Sequence, residues 1–273
     1  MLINGEPGQL VSANDRGLTY GDGAFETIRV ANRRLVLWPG HRQRLIDTCN
    51  LLQIPLDMPA LEADLVSVLA AAQENGVVKV MVTRGAGGRG YLPAASMQPT
   101  RIVQFHALPA DDTNSFRDGI HVVICRHRLA TGGPLAGLKH LNRLEQVMAS
   151  MELPVGCQEG IMLDASGAVI EGTRSNLFIV HGHQLWTPAL DEAGVAGVMR
   201  EYLISRFSEA GMKPVIRKLS LTDLLGADEV FMCNSVFGIW PVIALHEADR
   251  MHHWSLGPVT RNAIRYQDEI FTS

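Results

Sequence analysis

The chain has 273 residues, of which 47% are hydrophobic and 19% charged. That composition excludes a disordered or fibrous chain, and the length suffices for one large or two small domains with a buried core. With 24 Lys and Arg against 28 Asp and Glu the net charge is −4, which gives no footprint for nucleic acid or an anionic membrane surface.

In chain order, residues 24–30 and 33–37 read as strands around a turn at Ala31 and Asn32. Pro39 opens a helix carrying His41, Arg42, Arg44, Leu45 and Leu51. A second helix is predicted over 59–75, stopped by Gly76. Residues 77–84 make a β-branched strand, followed by a glycine-rich loop at 85–90 and a strand at 101–108. The polar stretch from Pro109 places an interdomain linker at 109–118, between a smaller domain at 1–108 and a larger one at 119–273. The second domain starts with strands at 119–125, a Gly/Pro-rich loop at 129–138 and a helix at 141–152. Strands follow at 159–164, 168–170, 176–180 and 184–186, then a helix at 198–210. Strands at 214–217, 229–233 and 237–245 precede a last helix at 257–266. Adjacent strands outnumber helices, so the fold class is α+β rather than doubly wound.

Cys49, Cys125, Cys157 and Cys233 are far apart and form no C-x-x-C pair, which points to reduced thiols in a cytoplasmic protein. The N-terminus lacks the basic start and apolar run of a signal peptide, and no apolar stretch reaches the ~18 residues of a membrane span. The ten histidines include no H-E-x-x-H and no ligand cluster, so no metal is expected. Gly85, Gly87 and Gly90 satisfy G-x-G-x-x-G after a strand. However, Pro93 breaks any following helix, and Gln104 and Phe105 stand where a dinucleotide site needs an acid. The loop is either a surface turn or a mobile segment presenting Arg89 and Tyr91 to a substrate.

The chain has only four lysines, Lys79, Lys139, Lys213 and Lys218. Lys139 follows a glycine-rich loop, sits between Leu138 and His140, and precedes a helix. It is either a solvated charge or a desolvated, nucleophilic amine. Glu171 and the GVAGVMR stretch at 194–200 add a carboxylate at a strand end and free N–H groups at a helix start. Amine, acid and anion cradle are the three elements that pyridoxal phosphate needs.

The stretches EGTRSNLF (171–178), LWT (185–187) and VAGVMR (195–200) resemble the signature of the fold-type IV pyridoxal-phosphate enzymes. YGDGAFET (20–27), TRGAGGRGY (83–91) and GLKHLNRLEQ (137–146) resemble the branch of that family that cleaves 4-amino-4-deoxychorismate. The resemblance spans nearly the whole chain. It implies a two-domain α+β fold, a homodimer, and Lys139 as the Schiff-base and proton-transfer residue. It further implies that Glu171 pairs with the pyridine nitrogen, with Asn176 in support. Arg44, backbone groups of Val198 and Met199, and the side chains of Asn234 and Ser235 are implied to bind the cofactor phosphate. Thr27, Arg29, Arg89 and Tyr91 are the candidates for the two substrate carboxylates and their surroundings. The products would be 4-aminobenzoate and pyruvate. The aminotransferases of the same fold, acting on D- or branched-chain amino acids, are the alternative. The branched-chain ones carry a tyrosine five residues after the lysine, where this chain has Leu144. The cofactor is expected in a crevice between the domains.

Overall fold

Residues 1–108, 116–247 and 250–272 are described by a computed structural model. The first unit comprises Met1–Pro109 with Lys139–Asn142 and Thr272–Ser273. In chain order it is β1 (Leu2–Ile3), β2 (Glu6–Pro7), α1 (Arg16–Tyr20), β3 (Gly23–Ala31), β4 (Arg34–Leu35), α2 (Trp38–Leu51), α3 (Met58–Ala70), β5 (Gly76–Thr83) and β6 (Thr100–His106). The strands form an antiparallel sheet in the order β2-β1-β6-β5-β3-β4. Strand alternation buries Ala24, Glu26, Ile28 and Val30 of β3 and Val78, Val80 and Val82 of β5. On α2 the buried residues are His41, Leu45, Thr48 and Cys49, and on α3 they include Leu61, Leu65 and Val68. These apolar faces make one core with the sheet.

The first hairpin turns at Asn32 and Arg33, both left-handed, one residue later than expected. Helix α3 ends at Ala70 instead of 75. Its apolar stripe runs out there, and Gly76 belongs to β5, where a Cβ would strike Phe105 at 2.2 Å. Main chain from the middle of the sequence extends the sheet beside the start of β3. Phe25 N–H donates to Lys139 O (3.0 Å) and Leu141 N–H to Gly23 O (2.9 Å). Lys139 therefore groups with the first unit, not with the second as the sequence suggested.

The second unit comprises Ala110–Leu138 and Arg143–Phe271. It runs β7 (Ile120–Leu129), α4 (Leu144–Ser150), β8 (Glu159–Asp164), β9 (Val169–Gly172), β10 (Asn176–His181), β11 (Gln184–Pro188), α5 (Val198–Glu209), β12 (Val215–Arg217), α6 (Leu221–Leu225), β13 (Glu229–Asn234), β14 (Gly238–Glu247), β15 (Arg250–His253) and α7 (Pro258–Phe271). Its mixed sheet has the order β12-β11-β10-β13-β14-β7-β8-β9, with β15 on β14. Ile161, Leu177, Ile179, Met232 and Trp240 sit in its main core.

The helix expected at 141–152 is shorter because residues 139–141 are engaged as extended chain until Arg143, the N-cap of α4. Helices α1 and α6 were not anticipated. The side chain of Asp15 caps α1, and a Ser220/Asp223 capping box starts α6. Most of the expected linker, residues 109–115, lies outside the described residues. Among the described residues no helix is long and apolar enough to cross a membrane.

Candidate active site

In the first unit the phase of β3 puts a carboxylate on the helix-covered face. Glu26 is fully buried there, a position that costs free energy unless the charge is paired. Two residues one turn apart on α2 meet it. Arg44 donates from Nε to Glu26 Oε1 (2.8 Å) and from Nη2 to Oε2 (2.5 Å). His41 Nδ1 lies 2.6 Å from Oε2. Burial alone would raise Glu26, but the Arg44 charge and hydrogen bonds, helped by His41, hold it down at about 2. Burial pulls the proton affinity of His41 below its ordinary value; Glu26 opposes this, while Arg44 and Lys139 add to it. His41 is thus neutral at neutral pH, with Nδ1–H donating to the carboxylate. Its Nε2 is buried and accepts no hydrogen bond among the described residues. Lys139 lies within electrostatic reach of His41, with Nζ 4.4 Å from the Phe25 ring centroid. Arg44 meets Glu26 directly, and the charge of Lys139 reaches His41.

On the other face of β3, Thr27 is half-buried and Arg29 buried. The glycine loop is followed by no helix as far as β6. A buried arginine holds it: Arg16 donates to Gly90 O (2.9 Å) and Tyr91 O (2.7 Å) and pairs with Asp22 at 2.9 Å. Asp22 also receives Arg84 (2.7 Å). Burial would raise Asp22, yet Arg84 and Arg16 hold it below its ordinary value. Arg89 and Tyr91 are themselves exposed, with the Tyr91 ring 5.6 Å from that of Tyr20.

In the second unit Glu171 is the penultimate residue of β9 and is buried. Its Oε2 accepts from Val195 N–H (2.8 Å), and Gln146 Nε2 lies 3.4 Å from Oε1. Burial lowers the proton affinity of Arg143, and the charge of Glu171 opposes that. Asn176 Nδ2 donates to Val195 O (2.8 Å), so the same residue is held at its N–H by Glu171 and at its C=O by Asn176. Two residues on, Gly197 caps α5 with no side-chain hydrogen bond to the helix. Val198 and Met199, in the first turn, are buried. A side chain at 197 would displace Asn176, since a Cβ would lie 1.8 Å from its Oδ1. Asn234 is engaged otherwise than expected. Its Oδ1 accepts from Val236 and Phe237 N–H (2.8 and 2.9 Å), and its Nδ2 donates to Arg174 O (3.0 Å). Its side chain builds the β13–β14 turn, in which Ser235 is buried. Leu144 opens α4 and is exposed.

A cavity of about 480 Å³ lined by Arg117, Asp118, Leu256, Arg261 and Ile264 contains none of the expected residues. Among the described residues no three His, Cys, Asp or Glu are arranged to hold a metal.

Residues 23–245 match the family described as amino-transferase class IV. A crystal structure of 4-amino-4-deoxychorismate lyase from Pseudomonas aeruginosa is 45% identical, with a TM-score of 0.93, and the match covers 98% of each chain. The aminodeoxychorismate lyase of Vibrio harveyi is 35% identical over 260 residues, 95% of this chain and 96% of its own length. The chain belongs to the class IV amino-transferase family. Another similar structure, the branched-chain amino acid aminotransferase of Escherichia coli, is 25% identical with a TM-score of 0.86, over 99% of this chain and 93% of that one. The α+β architecture is that of the fold-type IV enzymes, and the class IV family depends on pyridoxal phosphate.

The residues present fit that group by their chemistry. Lys139 is an amine, and Glu171 is a buried carboxylate. Arg44 is a guanidinium held side-on by the Glu26 carboxylate. Gly197, the N-cap of α5, makes no side-chain cap bond and keeps that helix start clear of a Cβ. Glu26, His41, Arg16, Asp22 and Gln146 were not anticipated. A carboxylate in phase with Ala24, Ile28 and Val30 was the readable signal for the first of them.

Proposed function

We propose that this chain is a pyridoxal-phosphate-dependent lyase that converts 4-amino-4-deoxychorismate to 4-aminobenzoate and pyruvate, a step of folate biosynthesis. The observation that carries the reading is Lys139, whose main-chain oxygen accepts from Phe25 of β3 and whose charge reaches His41, the residue that meets Glu26 together with Arg44. The full-length likeness to two lyases favours this branch over the aminotransferases.

The bound cofactor supplies an electron sink for charge developing at the amine-bearing carbon. Lys139 would anchor it covalently and, as a free amine, would take the proton from that carbon. Glu171, kept in place by Val195 N–H, holds a proton on the ring nitrogen, and Asn176 fixes Val195. Arg44, the amides of Val198 and Met199, and Ser235 take the phosphate, with Asn234 shaping the turn that presents Ser235. Arg29 and Arg89 meet the substrate carboxylates, with Thr27 and Tyr91 beside them. The ether electrons leave with the enolpyruvyl group, which becomes pyruvate on protonation, and the ring aromatises.

The proposal includes a homodimer in the cytoplasm. Leu144, Val147 and Met148 on α4 and Met151, its C-cap, recur at helical spacing and are all exposed, an apolar stripe suited to burial by a second copy. All four cysteines are free thiols, as in a reducing compartment.

Turnover of 4-amino-4-deoxychorismate with and without added keto acid tests the reaction class. The lyase reading expects the same rate in both. Turnover that requires a keto acid and releases no pyruvate would assign the chain to the aminotransferases.

A further inference from the structure

We propose that Arg16 is a positioning residue for the substrate, fastening the tip of the glycine-rich loop so that Arg89 and Tyr91 stand in place before the substrate arrives. The inference rests on the reading of Arg89 and Tyr91 as residues that meet the substrate.

Three observations carry it. The first is the backbone of the loop. Arg89 stands between Gly88 and Gly90, whose φ values of +75° and +72° are left-handed. A Cβ at Gly90 would meet nothing within 4 Å, so conformation and not packing selects glycine there, and such a segment has much freedom to lose on ordering. The second is how the loop is held at its two ends. Its neck is pinned by main chain, with Arg16 N–H donating to Gly85 O (2.9 Å) and Asp15 bridged to Ala86. Its tip is held by a side chain: Arg16 Nη1 donates to Gly90 O (2.9 Å) and Nη2 to Tyr91 O (2.7 Å), the two carbonyls next after Arg89. The third is what aims that side chain. Asp22 Oδ2 accepts from Arg16 Nε (2.9 Å) and from Arg84 Nε (2.7 Å), and the Arg16 guanidinium lies 4.6 Å from the centroid of the Tyr20 ring. All three guanidinium nitrogens are thus engaged. Arg16 is only 3% exposed, so it acts on a ligand through the loop rather than by contact.

Two simpler roles predict otherwise. If Arg16 only supplied positive charge to an anionic substrate, Arg16→Lys would keep that contribution. If it only stabilised the fold, substrate and cofactor binding would fall together or not at all. As a fastener it is not replaced by lysine, because an ammonium lacks the planar fork that spans two carbonyls while its remaining edge meets a carboxylate. The unfastened loop must then be ordered by the substrate, and the loss appears in KM rather than kcat.

The test compares the wild-type holoenzyme with Arg16→Lys. The KM for 4-amino-4-deoxychorismate is expected to rise about tenfold, with kcat changed by less than about threefold. Trypsin is expected to cut after Arg89 about tenfold faster, because the open form of the loop is more populated. An unchanged KM, an unchanged cutting rate, or a loss of pyridoxal phosphate affinity as large as the rise in KM overturns the proposal. Arg89→Ala separates this role from the reading beneath it. If Arg89→Ala leaves KM at the wild-type value while Arg16→Lys still speeds cutting, the reading of Arg89 fails. If Arg89→Ala raises KM and Arg16→Lys does not, the positioning role fails. Thermal unfolding of each variant checks folding. Should Arg16→Lys not fold, Asp22→Asn, which leaves Arg16 without its ionised partner, is read by the same criteria.

Discussion

Glu26 in the first unit and Glu159 in the second are both fully buried carboxylates on strands, and their partners differ in kind. Glu26 is met by Arg44 and His41. Glu159 is met by neutral donors: the N–H groups of Gly160 (2.9 Å) and Thr173 (3.0 Å) and the hydroxyls of Thr173 and Ser175. A cation near it, Arg174, is 3.8 Å away and mostly exposed. The first carboxylate fixes the direction of a positive charge. The second fixes the path of the chain between β9 and β10, the elements that carry Glu171 and Asn176. One unit therefore contributes oriented charge and the other a shaped backbone.

The largest expected effect falls on the group beside the charged cluster. Lys139→Ala should abolish turnover and the visible absorbance of bound cofactor while the apoprotein still unfolds cooperatively. Absorbance that survives, with borohydride reduction marking Lys79, Lys213 or Lys218, would contradict the assignment.

The comparison of carboxylates is tested next. Glu159→Ala strands several buried donors at once and should cost about 3 kcal/mol or more in denaturant unfolding. A cost under about 0.5 kcal/mol, typical of an uninvolved surface site, would remove its role as loop organiser.

Glu26 should instead announce itself in acid. Its folded value, about 2, lies below its ordinary 4.5, so its contribution is fully present above about pH 4.5 and disappears as pH falls toward 2. The depression corresponds to something on the order of 3 kcal/mol. Glu26→Gln should lose this slope of stability with pH, and an unchanged acid transition would show that the pair carries no such linkage. The smallest effect is steric. Gly197→Ala pushes Asn176 off Val195 and should weaken cofactor binding by roughly 1 kcal/mol, measured by titration of the apoprotein; unchanged affinity would show that the α5 start does not serve the phosphate.

Much of this was legible in the chain. The scarcity of lysine and the blocks around Lys139 and Glu171 marked both residues, and turn chemistry marked most strands. The rejection of a dinucleotide loop at 85–90 agrees with the absence of a helix between it and β6. What was missed depends on long-range pairing. The helix start at 141 failed because main chain there bonds to β3, more than a hundred residues earlier. Arg16 gave no local sign that it would reach the carbonyls of Gly90 and Tyr91. Asn234 fitted a phosphate role by motif, whereas its side chain closes a turn. Glu26 was readable by strand phase but not its partners, because which helix covers a strand is set by the fold.

The central claim is that Lys139 and its surroundings serve an elimination rather than an amino transfer. Its most direct test is the product balance of the holoenzyme on 4-amino-4-deoxychorismate over many turnovers, without keto acid. The account predicts pyruvate and 4-aminobenzoate in equal amounts, with the cofactor spectrum returning to its starting form. Accumulation of the amino form of the cofactor after a single turnover, with no pyruvate, would contradict it.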